Sequence, residues 1–78
     1  MVIRNPKVRL RIDNNSLIVK NKKSSSVISL EYIDSLYIYV GIRIELALLE
    51  KISRKIPLYL IDRYGYIKAK LVRVDEKA

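Results

Sequence analysis

Two stretches decide the fold of this 78-residue chain: Ile28-Ser29-Leu30-Glu31-Tyr32-Ile33-Asp34-Ser35-Leu36-Tyr37-Ile38-Tyr39-Val40-Gly41, and Ile56-Pro57-Leu58-Tyr59-Leu60-Ile61-Asp62-Arg63-Tyr64-Gly65. In the first, Leu36, Ile38 and Val40 alternate with Tyr37 and Tyr39, the two-residue period of a strand with aliphatic side chains on one face. Gly41 ends that strand where the backbone must turn. In the second, 58–61 is a short apolar strand, and Asp62-Arg63-Tyr64-Gly65 is a four-residue turn whose glycine can take positive φ. Between them, Ile42, Leu46, Leu49 and Ser53 make one helical stripe and Ile44, Leu48 and Ile52 another, so the spacing predicts a helix over 42–55. Glu50, Lys51, Arg54 and Lys55 mark its wet side. Pro57 cannot continue it.

Upstream, Lys7-Val8-Arg9-Leu10-Arg11-Ile12 alternates strictly. Val8, Leu10 and Ile12 therefore point inward, while Lys7, Arg9 and Arg11 form a row of cations on the solvent side. Asp13-Asn14-Asn15-Ser16 is a turn signal, since Asn and Asp tolerate left-handed backbone. With a strand over 16–20 it predicts a hairpin across 7–20. Residues 21–25 form a polar loop, 26–30 a third strand, and 31–35 a break in which Asp34 takes a turn or capping position. Downstream, residues 66–72 alternate again, with Ile67, Ala69 and Leu71 inward and Tyr66, Lys68 and Lys70 outward. The expected domain covers 1–74, followed by a polar tail at 75–78. The class is α+β: six or seven short strands in a small antiparallel sheet or sandwich, with one packed helix.

Composition narrows the chemistry. Half of the residues are apolar and 31% are charged, a globular balance. A chain this short buries only about 60% of the surface its unfolded form exposes, and such marginal cores often gain stability by pairing. The chain has no cysteine and no histidine. Disulfides, thiolate metal sites, and Ser-His or Cys-His nucleophiles are thereby excluded. The two glycines stand far apart, so there is no phosphate-cradling loop. Arg43 and Glu45 interrupt the apolar run from Leu36 to Leu49, which is not a membrane span, and no signal peptide is visible, so a cytoplasmic protein is expected. The net charge of +8 favours a polyanionic partner.

Glu31, Asp34 and Asp62 are the carboxylates that a metal could recruit. Their spacing gives no convergence, and turn chemistry explains them. Ser24-Ser25-Ser26 reads as loop. The more informative pattern is cation with aromatic on strand faces: the Lys7, Arg9, Arg11 row, the Tyr66, Lys68, Lys70 row, and the uncharged Tyr37, Tyr39 pair. Lys7, Arg9, Arg11, Lys68 and Lys70 are the candidate DNA-binding residues, expected to meet phosphates rather than base edges. Tyr37, Tyr39, Ile44 and Leu48 are surplus apolar surface, the candidate interface of a homodimer.

The ordered set resembles the N-terminal β-domain of the CRISPR-associated integrase, over about Val2 to Val72. Val2-Ile3-Arg4-Asn5-Pro6 is similar to that family's first strand and Pro-containing turn. Ser29-Leu30-Glu31-Tyr32-Ile33-Asp34 is similar to its Pro-Leu-Glu-x-Ile-Asp signature, with Ser29 in place of proline. Leu46 and Leu49, Ile56-Pro57, and Asp62-x-x-Gly65 match its helix leucines, strand and closing hairpin. The resemblance implies a domain that dimerises and helps hold incoming DNA, beside a partner subunit of the adaptation complex. It also implies that the metal-dependent nuclease site, with its Mg or Mn, lies in a C-terminal helical domain that this chain does not reach. No catalytic residue, metal ligand or cofactor is therefore expected here, and an excised domain, a split gene and a free-standing relative all stay open. The family's aromatic wedge after the first strand is replaced by Asn5-Pro6. Two other functions fit the residues: a stand-alone basic nucleic-acid binder regulating a mobile element, and a small histidine-free RNase.

Overall fold

A computed structural model of the chain describes residues 1–72. Seven strands form two sheets. The first sheet takes β1 (Val2–Ile3), β5 (Leu36–Tyr39), β6 (Leu58–Ile61) and β7 (Ile67–Leu71), in that order across it. The second is a three-stranded meander of β2 (Arg9–Asp13), β3 (Ser16–Lys20) and β4 (Ser25–Ser29). One helix, α1 (Leu46–Ser53), connects β5 to β6, and a short 3-10 turn at Leu30–Tyr32 links the two sheets. The α+β class with seven strands and one helix is the one the sequence predicts. The domain limit at 74 and the polar tail lie outside the described residues. Among the described residues, no helix is long and apolar enough to cross a membrane.

The strands are not all antiparallel. β1 pairs with β5 in parallel, and β5 with β6 in parallel; only β6–β7 is antiparallel in that sheet. Parallel neighbours need a long crossover, which the segment from Val40 to Pro57 supplies. This also explains why the helix is shorter than the 42–55 that its periodicity suggests. Eight helical residues rise about 12 Å, close to the roughly 13 Å of a four-residue strand, whereas fourteen would rise about 21 Å and overshoot. Glu45 has extended backbone, φ −70° and ψ 140°, and serves as the cap residue. Ile42 reaches the core from the loop, its N–H donating to the Tyr39 carbonyl at 3.0 Å. Leu46, expected on the buried stripe, stands 78% exposed at the first helical turn; Leu49 and Ile52 carry the packing.

The core is shared by both sheets and the helix. Leu10 and Leu17 enter it from the meander, Ile3, Leu36, Ile38 and Leu58 from the mixed sheet, and Leu49 and Ile52 from α1. Val8 and Leu10 are buried as their alternation predicts, and Ile12 packs against the same cluster. Three inward assignments fail. Val40 lies just past β5 and is exposed. Ile67 and Ala69 on β7 are exposed as well. β7 is an edge strand, and the register shifts between Leu60 and Ile61, so that Ile67 pairs with Ile61 rather than continuing the alternation that sets Leu71 beside Leu58. A bulge of this kind turns the strand and re-aims its side chains.

Candidate nucleic-acid interface

The β2–β3 hairpin is closed by the two-residue turn Asn14-Asn15, where Asn14 takes φ 56°. That turn fixes the register: Arg9 lies opposite Lys20, and Arg11 opposite Ile18. Directly opposed residues share a face, and β4 adds Ser25 beside Lys20 and Val27 beside Ile18. The outer face of the meander therefore carries Arg9, Lys20 and Arg11, with Lys7 exposed just before β2 and Lys22 and Lys23 exposed in the β3–β4 turn. Asn21 builds that turn, its Oδ1 accepting from the N–H groups of Lys23 and Ser24, each at 2.8 Å. Among the described residues there are two ion pairs, Arg54–Glu50 and Lys68–Asp62, and neither touches this face. Lys20 is the residue that strand-by-strand reading misses. Its signal is in the hairpin arithmetic, because a turn closing Asp13 on Ser16 necessarily opposes residues 9 and 20.

The second basic row sits on the other sheet. Lys70 is opposite Tyr59, whose ring stacks on Tyr37 with centroids 4.8 Å apart and planes 12° from parallel. The Lys70 ammonium lies 5.4 Å from the Tyr59 ring centroid. Lys68 reaches Asp62 at 3.7 Å. Asp62 organises the β6–β7 hairpin: its Oδ1 accepts from Tyr64 N–H at 2.9 Å and Tyr66 N–H at 3.0 Å, and its carbonyl accepts from Gly65 N–H at 3.0 Å. Partial burial pushes the Asp62 carboxyl up. The amides of Tyr66 and Tyr64, with the charge of Lys68, outweigh that and hold it below the ordinary 3.8. At the tip, Tyr64 and Tyr66 are both exposed and the Arg63 guanidinium lies 5.1 Å from the Tyr64 ring centroid.

The four candidate interface residues divide. Tyr37 and Tyr39 are half-buried on β5, Tyr37 against Tyr59 and Tyr39 against the core. A Cβ on Gly41 would run into the Tyr39 ring, so glycine there makes room for an aromatic neighbour. Ile44 and Leu48 are also half-buried, and they line a groove of about 610 Å³ between residues 6–12 and residues 41–51. The same groove takes in Lys7, Arg9 and Arg11, and adds Arg43 and Lys51, with Glu45 as its one acid. Glu31 lies in the 3-10 turn, its N–H donating to Ser29 Oγ at 3.4 Å. Among the described residues, no three acidic, cysteine or histidine side chains are grouped to hold a metal ion.

The family model for CRISPR-associated protein Cas1 matches residues 1–78, the whole chain. The chain belongs to the Cas1 family. Solved structures agree in fold. A CAS1 protein from Thermotoga maritima superposes with a TM-score of 0.66 at 20% identity, covering 81% of this chain and 22% of that one. A partial Cas6-RT-Cas1–Cas2 complex contains a chain that superposes with a TM-score of 0.74 at 22% identity, covering 94% of this chain and 23% of that one. The present Cas1 chain thus spans under a quarter of either structure's length. No curated protein sequence matches it.

Proposed function

We propose that this Cas1 chain is a non-catalytic module that positions DNA and pairs with a second copy in the CRISPR spacer-acquisition machinery. The observation that carries the DNA reading is the register of Arg9 on Lys20. Like charges directly opposite each other destabilise a sheet. Here they stand on one face with Arg11, with Lys7 exposed in the turn just before β2, and without an ion-pair partner among the described residues. A phosphate backbone relieves that repulsion, and released counterions supply the affinity. Lys68 and Lys70 form a second contact row on the other sheet, so a paired assembly offers DNA more than one basic face. Phosphate contact positions a duplex without reading its sequence. The role is therefore placement, with bond-breaking left to residues elsewhere in a full integrase. A likeness to a chain within a Cas6-RT-Cas1–Cas2 complex supports an adaptation-complex subunit as neighbour.

The test is the double substitution Arg9→Glu with Arg11→Glu. A carboxylate at position 9, facing Lys20, turns a like-charge pair into an opposite-charge one, so the fold is retained. Affinity for duplex DNA is expected to drop, and the slope of log affinity against log salt to fall by about 2. Unchanged affinity and slope in a folded variant would sink the DNA reading.

A further inference from the structure

β2 is an edge strand. Among the described residues its one partner in the sheet is β3, and its other side faces the groove, which no residue of β3 lines. The hairpin register says which main-chain groups lie on that side. A two-residue turn closes on a hydrogen-bonded pair, Asp13 with Ser16, and in an antiparallel ladder such pairs alternate. Arg11 and Arg9 therefore spend their N–H and C=O groups on β3. Leu10 and Ile12 turn theirs to the free side. Among the described residues those four groups take no other hydrogen bond, whereas Val8 N–H, the next of the same parity, is taken up by the Asn5 carbonyl at 3.3 Å.

We propose that the groove docks an acidic, extended peptide segment of another protein, added as a strand to the free edge of β2. The free edge of β2 is distinct from the outer face of the meander that the DNA reading concerns, although Lys7, Arg9 and Arg11 border both. The edge offers donors and acceptors in alternation. A second peptide backbone satisfies both, while a DNA backbone carries acceptors alone and leaves the two carbonyls unpaired. Charge selects the sequence: Lys7, Arg9, Arg11, Arg43 and Lys51 border the groove against the lone Glu45. Pleating sets the pattern. Residues opposite Leu10 and Ile12 face inward toward Ile44 and Leu48 and must be apolar; those opposite Arg9 and Arg11 face outward beside cations and must be acidic.

The probe is a six-residue peptide of alternating glutamate and valine, with the lysine–valine peptide of equal length as control, titrated into the full chain. Amide exchange at Leu10 and Ile12 is expected to slow at least about tenfold at saturation. The double substitution Arg43→Glu with Lys51→Glu, both exposed, is expected to weaken the acidic peptide roughly tenfold or more while DNA affinity stays. Unchanged exchange at Leu10 and Ile12, or equal binding of the lysine–valine peptide, overturns the proposal. So does displacement of the acidic peptide by duplex DNA with protection of the same two amides, which makes the groove a nucleic-acid site. Protection of those amides in the free protein that grows with its concentration also overturns it, because a second copy then covers the edge.

Discussion

At Gly65 the backbone takes φ +92°, a region that L side chains avoid, and an added Cβ would sit 3.1 Å from the Arg4 guanidinium. Gly65→Ala is expected to cost about 1 kcal/mol, read as a lower urea midpoint at unchanged denaturant slope. Three residues earlier, Asp62 gives the same hairpin a pH dependence. Its carboxyl is held below the ordinary value, so its contribution is complete above the unfolded range near 3.8 and is lost as pH falls through the lower folded value. Urea midpoints measured down through acid pH are expected to fall more steeply for the native chain than for Asp62→Ala. Equal slopes would show that the Tyr64 and Tyr66 amides do not hold the carboxylate.

Among the elements, α1 is where pattern and packing part. Two apolar stripes are visible between residues 42 and 55, but within α1 Leu49 and Ile52 are the buried residues, while Ile42 reaches the core from the loop and Ile44 and Leu48 pack against it half-buried. Ile52→Ala is expected to cost about 2–5 kcal/mol, because a fully buried side chain leaves a cavity. Leu46→Ala is expected to stay within about 0.5 kcal/mol, as an exposed substitution does. Thermal or urea unfolding of the two variants side by side checks the helix placement, and equal losses would contradict it. The short elements were more legible. β3, β6 and the turns at 13–16 and 62–65 follow from short apolar runs bounded by turn chemistry, since such a run and Asn or Gly at the bend need no information from afar. The β7 bulge was not legible, because a register shift is decided by the partner strand.

For the molecule as a whole, the unreadable part was what distant segments bring together. The Lys7, Arg9, Arg11 row stands out within a short run of sequence, but its union with Arg43, Lys51, Ile44 and Leu48 in one groove depends on how residues 41–51 return past β2. Light scattering across a dilution series at moderate salt is expected to give twice the chain mass at high concentration. Tyr37→Asp, placed on the half-buried outer face of β5, is expected to shift that equilibrium to the single chain. A single-chain mass throughout would end the pairing reading. β1 lies parallel to β5, with Val2 beside Tyr37 and the Tyr37 N–H donating to the Met1 carbonyl at 2.9 Å. With synthesis at about 5–20 residues per second, β1 leaves the ribosome roughly two to seven seconds before its partner strand emerges. During that interval the β2–β3–β4 meander can close on its own, leaving the first-made strand of the mixed sheet to be captured after it.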